Sequence, residues 1–259
     1  MNRIKLNKPV LLTISLLAIV VSAVGLFAPA FYAARDNAMT TYEIAGQDAI
    51  SLVCGLVLLA LSLLHKQGRL VPVIIAGLLV YTTYIYAYFL FGLLVTPLFV
   101  IYLLITGLSF YSLLGILIRH ANHFDIPVTR AQKWVSGYLV FIVIIVGIID
   151  GTDIVGNTIL SKGAMTTQGA FYYLDLAFLF PGMVIAAVLN LRGKQVGRFF
   201  SGAFLVKTIA LMPALILSDV LHYMNTGAFV DVSFDVIAAV VMCSAIFFFW
   251  LYARDVQAG

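Results

Sequence analysis

Apolar residues run along this chain in eight long blocks, at about 9–31, 48–65, 70–91, 96–118, 134–150, 170–190, 199–219 and 232–252. Each is close to the ~20 residues that cross ~30 Å of hydrocarbon at 1.5 Å per residue. The blocks do not alternate polar and apolar positions as barrel strands do. Lipid offers no partner to a backbone N–H or C=O, so runs of this length are predicted to be helices. The expected fold is all-α, a polytopic helical membrane bundle of eight transmembrane helices. The fifth block is the shortest and its far end the least defined.

Composition agrees with the pattern. The 259 residues are 63% hydrophobic and 10% charged, and the mean hydropathy is +1.09. A water-soluble surface needs far more charge. Residues 1–259 read as one integral membrane domain with no soluble domain attached, because the longest connection is about twenty residues. Cys54 and Cys243 both fall in apolar blocks, outside any CxxC or Cys/His cluster, and are expected to be small buried hydrophobes.

The placement of charge orients the helices. The N-terminus, 66–69, 119–133, 191–198 and the C-terminus carry twelve of the fifteen Lys and Arg residues. Arg35 and Lys162 lie on the opposite side, and Lys207 lies within a helix. Because Lys and Arg stay cytoplasmic, both termini are expected in the cytoplasm, as in a bacterial-type plasma membrane protein. The net charge of +4 is thus sorted by membrane side and is no sign of a nucleic-acid partner; the partner is the lipid bilayer. Residues 1–30 combine a basic start, an apolar stretch and small residues from Ala28 to Ala34. The stretch exceeds the ~7–15 residues of a cleaved signal, so an anchor helix is expected.

Asp36, Glu43, Asp48, Asp150, Asp153, Asp175, Asp219, Asp231 and Asp235 fall on the outer side or in the outer part of a helix. Such an outer half would concentrate cations, and the expected partner besides lipid is a small molecule or cation from the outer side. Asp48 to Arg69 spans 21 residues and Asp175 to Arg198 spans 23; Lys8 to Asp48 spans 40 and Lys133 to Asp175 spans 42. These spacings suit a four-plus-four parallel repeat with halves 1–130 and 131–259, in which Asp48 and Asp175 would be equivalent and face each other. Equal helix lengths and generic basic loops give similar spacings without a repeat.

Ionisable groups within a membrane cost roughly 2.5–3.5 kcal/mol each and mark sites or buried pairs. Asp48 is expected at the outer mouth of the second helix, Asp175 about 7 Å below the outer end of the sixth and Lys207 about 18 Å below that of the seventh. A lysine stem reaching outward brings Lys207 toward Asp175. Either a site or a packing salt bridge would result. Tyr81, Tyr84 and Tyr88 share one face of the third helix, as a cavity lining or as packing. Pro181-Gly182 and Pro213 interrupt the sixth and seventh helices, as ordinary kinks or as breaks that free carbonyls. Asp219 and His222 form a weak cation or metal candidate with Asp231 and Asp235. His120 and His123 are expected in a solvated loop, and His65 at the end of the second helix.

No HExxH, GxSxG, phosphate-binding glycine loop or CxxCH occurs, and no GxxxG falls inside the eight spans. No cofactor follows from the sequence. Three functions stay open: a small transporter or permease with a polar site in its outer half, an intramembrane enzyme on a lipid or quinone-like substrate, and a non-catalytic sensor or assembly factor. Asp48, Asp175, Lys207 and the three tyrosines would bind substrate or relay protons in the first.

Overall fold

The computed structural model describes residues 7–28, 41–64, 68–92, 96–119, 129–156, 169–227, 229 and 232–258. Among these, eight helices are long and apolar enough to cross a membrane, as expected of an integral membrane protein. They are α1 (Lys8–Phe27), α2 (Thr41–Leu63), α3 (Val71–Phe91), α4 (Phe99–Arg119), α5 (Arg130–Ile154), α6 (Gly169–Leu191), α7 (Gln195–Thr226) and α8 (Val232–Ala258). Large apolar side chains such as Leu16, Val20, Val100, Val240 and Phe247 face outward. In water they would form a patch no soluble monomer carries, whereas lipid covers them at no cost.

Several helices outrun their apolar blocks. The fifth, expected at 134–150, has 25 residues, and α7 has 32. The Thr129 hydroxyl accepts from the Gln132 N–H and starts α5 upstream of its apolar block. Gly227, in the left-handed conformation at φ 77°, ends α7. The longer α5 takes in Gly151, so a GxxxG pair, Gly147 and Gly151, does lie within a span; Gly147 faces the Phe180 ring and Gly151 faces nothing within 4 Å. Cys243 differs from expectation too: Cys54 is buried, but Cys243 is exposed on α8.

Two helices form the centre. Fourteen of the 21 residues of α3 are buried, against four of 21 in α4. The other central helix, α7, packs on α2, α3, α6 and α8. No hydrophobic driving force acts between helices in lipid, so close approach and polar contacts hold them together. Gly77 lets α3 lie against Val206 and the Ala203 carbonyl of α7, and Gly46 lets α2 lie against the Ser218 backbone of the same helix. Hydroxyl pairs add direction: Ser22 with Tyr86 at 3.2 Å, Ser51 with Tyr81 at 3.0 Å and Thr83 with Ser109 at 2.9 Å. The remaining packed pairs include α1 with α2 and α4, α3 with α4 and the start of α6, and α5 with α6 and α8.

The sixth helix solves its proline locally. Pro181 has no N–H, and its ring would press on the carbonyl four residues back. The stretch Asp175–Leu179 is a π turn, in which the Phe180 N–H bonds to the Asp175 carbonyl five residues earlier. Regular α-helix resumes at Phe180–Leu191 with Pro181 in its first turn, where a missing N–H costs nothing. In α7 the helix runs on through Pro213 without a break.

Candidate functional site

A cavity of about 510 Å³ lies between α3, α5, α6, α7 and α8. Its apolar wall includes Ile142 and Val146 of α5, Leu179 and Met183 of α6, Leu211 of α7 and Ile237 of α8. Its polar wall includes Tyr84, Asp150, Asp175, Lys207 and Thr208, with Asp153, Asp219, His222 and Asp235 toward the end where α7 stops and α8 begins.

Position in each helix explains the convergence. Asp175 opens the π turn of α6, and widened turns of this kind recur at functional sites. Lys207 lies on the buried face of α7 that also carries Ala203 and Leu211. It is 3% exposed, and its ammonium sits 4.0 Å from the centroid of the Tyr84 ring. That ring face is negative and holds a desolvated cation well. The carboxylates whose charges act on Lys207 are first Asp175 and then Asp150. The Tyr84 hydroxyl is placed to donate to the Asp175 carboxylate. One tyrosine thus contacts the cation through its ring and the carboxylate through its hydroxyl.

The sequence candidates separate into two groups. Asp175, Lys207, Tyr84 and Tyr88 come together at the cavity, Tyr88 with its ring stacked on Phe171 at 3.5 Å. Asp219 and His222 line it nearer the end of α7. Asp48 and Tyr81 lie elsewhere. Because α2 begins at Thr41, Asp48 is two turns into the helix instead of at its mouth, and it is fully buried. It acts on Tyr81 and Tyr86, while its neighbour Gln47 lines the cavity. Tyr81 turns its hydroxyl to Ser51 of α2, so the tyrosine stripe divides between two environments.

Asp150 is the site residue that sequence reasoning passed over. It stood at the last position of the expected fifth block, where an acidic residue reads as a helix end. With α5 running to Ile154, it becomes a buried side chain facing the cavity. Among the described residues, Oδ2 of Asp150, Oδ1 of Asp175 and Oε1 of Gln47 are buried with no hydrogen-bond partner. No group of three or more His, Cys, Asp or Glu side chains is placed among them to hold a metal ion. Asp231, His65, His120 and His123 lie outside the described residues.

Beyond the lining residues Ile142, Met183 and Val241, a layer of contacts ties α5, α6 and α8 together. The Asn190 amide of α6 donates to the Gln132 carbonyl of α5 at 3.0 Å. The Tyr138 hydroxyl of α5 meets the Val241 carbonyl and the Ser244 hydroxyl of α8, both at 3.0 Å, and its ring stacks on Phe248 at 4.4 Å. The Thr129 hydroxyl donates to Asp255, Gly197 abuts Asn190 and Gly202 abuts the Tyr252 ring. At the other end α5 and α8 stand on either side of the cavity, and the lining residues Phe234 and Ile237 are 43% and 39% exposed. No protein-family model, curated protein or solved structure matches the chain.

Proposed function

We propose that the protein is a small membrane carrier, a permease that binds its solute in the cavity between α3, α5, α6, α7 and α8. The observation that carries this reading is the cavity with Asp150, Asp175 and Lys207 on its wall; the Gln132–Asn190 and Tyr138–Ser244 contacts to one side of it and the exposed lining residues Phe234 and Ile237 support a closed and an open end. A carrier holds this shape in one of its two states. The segregation of Lys and Arg supports cytoplasmic termini in a bacterial-type plasma membrane, with the open end outward.

The packing also supports a four-plus-four repeat. The α1–α2 pair has its counterpart in α5–α6, α3–α4 in α7–α8 and α1–α4 in α5–α8. Likewise α2–α7 corresponds to α3–α6, with α3 and α7 touching at the axis. In this scheme halves 1–130 and 131–259 rock against each other. Asp48 and Asp175 are then equivalent without facing each other: each serves its own half, and in the first half Tyr81, Tyr86 and Tyr102 fill the space that the cavity occupies in the second.

A second reading, an enzyme acting on a lipid or quinone-like substrate, draws on the mouth between α5 and α8. Access separates the two. With Cys54 and Cys243 replaced by serine, Thr208→Cys places a thiol in the cavity. A membrane-impermeant thiol reagent is expected to reach it from outside in intact cells and from inside in inverted vesicles. Labelling from one side alone would sink the carrier reading and favour the enzyme.

A further inference from the structure

We infer that the solute is an amphipathic organic cation, an apolar body bearing one ammonium or other onium charge, and that it enters between α5 and α8. This deepens the carrier reading and rests on the same cavity being its binding site. Five carboxylates line that cavity, Asp150, Asp153, Asp175, Asp219 and Asp235, against the single ammonium of Lys207. Lys207 is already held within the protein, by the Tyr84 ring at 4.0 Å and the charge of Asp175. Asp150 and Asp175 are each more than nine-tenths buried, and each has a carboxylate oxygen without a hydrogen-bond partner among the described residues. A buried acceptor left in this way is costly, and a ligand cation would satisfy it. An anion would meet the opposite balance of charge.

The other walls decide what kind of cation. A bare metal ion finds no set of three ligating side chains among the described residues, and it would leave Ile142, Val146, Leu211 and Ile237 in contact with nothing. A volume of about 510 Å³ suits an organic molecule, since such pockets span about 300–1,000 Å³. Phe171, stacked on Tyr88 and only partly buried on the cavity wall, offers an aromatic surface to an apolar or onium group. The route follows from α5 and α8. The bonds from Tyr138 and Thr129 tie the two helices on one side of the cavity, and Phe234 and Ile237 join it to the exposed face of the bundle. A solute dissolved in the membrane reaches Asp150 there without crossing water.

The test uses the purified full-length protein in mild detergent with three probes: tetraphenylphosphonium, its charge-reversed counterpart tetraphenylborate, and the small cation tetramethylammonium. Tetraphenylphosphonium is expected to bind, tetraphenylborate not to bind, and tetramethylammonium to bind far more weakly. Asp150→Asn and Asp175→Asn should each weaken the first about tenfold or more, the scale of a desolvated charge partner, while Asp150→Glu retains it. Ile237→Trp narrows the mouth and should slow association. Should an Asn variant fail to fold, Met212→Trp fills the cavity without removing charge and must abolish binding. Equal binding of tetraphenylborate, equal binding of tetramethylammonium, no binding of any probe, binding retained by Met212→Trp, or an unchanged rate in Ile237→Trp would overturn the inference. One-sided labelling of Thr208→Cys with tetraphenylphosphonium bound would remove transport but keep the cation site, so the two failures are distinct.

Discussion

The Lys207 side chain is 3% exposed, and the Tyr84 ring and Asp175 carboxylate stand beside its ammonium in place of bulk water. The arrangement is interdependent. Removing the lysine leaves Asp175 buried without its cation, and removing Asp175 leaves the lysine with the Tyr84 ring and the weaker charge of Asp150. Lys207→Met and Asp175→Asn are each expected to destabilise the bundle. The double variant should lose less than the sum by ~1 kcal/mol or more, the coupling typical of residues that interact directly. Unfolding in mixed detergent micelles measures it, and additive losses would contradict the pairing. The sequence placed Asp175 within the sixth apolar run and Asp48 at the mouth of the second. It did not show that one faces the tyrosines of α3 and the other the cavity. The direction a helical residue faces depends on which neighbours the helix finds, and an apolar run of this kind is nearly uniform around its axis.

At the scale of the helix, polarity hides length. The eight spans could be read from apolar runs alone, because hydrocarbon thickness sets a minimum that each run meets. Their ends could not. The first turn of α5 holds Arg130, Gln132 and Lys133, and the last turn of α7 holds His222 to Thr226. Such residues read as loops, although a helix projecting beyond the hydrocarbon accepts them freely. The far end of α5, Gly151 to Ile154, was hidden in the same way, and with it the setting of Asp150 inside the helix. Close approach was equally hidden, since glycines look alike in sequence. Gly77 lies against Val206 with the Ala203 carbonyl only 2.7 Å from where a Cβ would sit, whereas Gly107 faces nothing within 4 Å. Gly77→Ala is expected to force α3 from α7 at a cost of about 1–3 kcal/mol. Gly107→Ala should be neutral or stabilising by up to ~1 kcal/mol through helix propensity. Equal effects of the two, read as thermal stability in detergent, would show that the α3–α7 crossing is not as tight as described.

Over the whole molecule, α2 and α3 pack on α7, and the cavity lies where α3 meets α5, α6, α7 and α8. Tyr86, Phe89 and Tyr102 pack with ring centroids 5.4–5.8 Å apart behind Asp48. The spacing of Asp and Arg residues suggested a repeat, but where a cavity opens depends on side chains that converge from different helices. A carrier of this shape would have to move where Tyr138 and Thr129 tie α5 to α8. Trp134 and Trp250 are exposed on those two helices. Spin labels at Trp134→Cys and Trp250→Cys, with the native cysteines replaced, report the separation of the tied ends by pulsed electron resonance. Two distance populations are expected, with tetraphenylphosphonium changing their ratio. A single population, unaltered by the ligand, would contradict a carrier that alternates between two states.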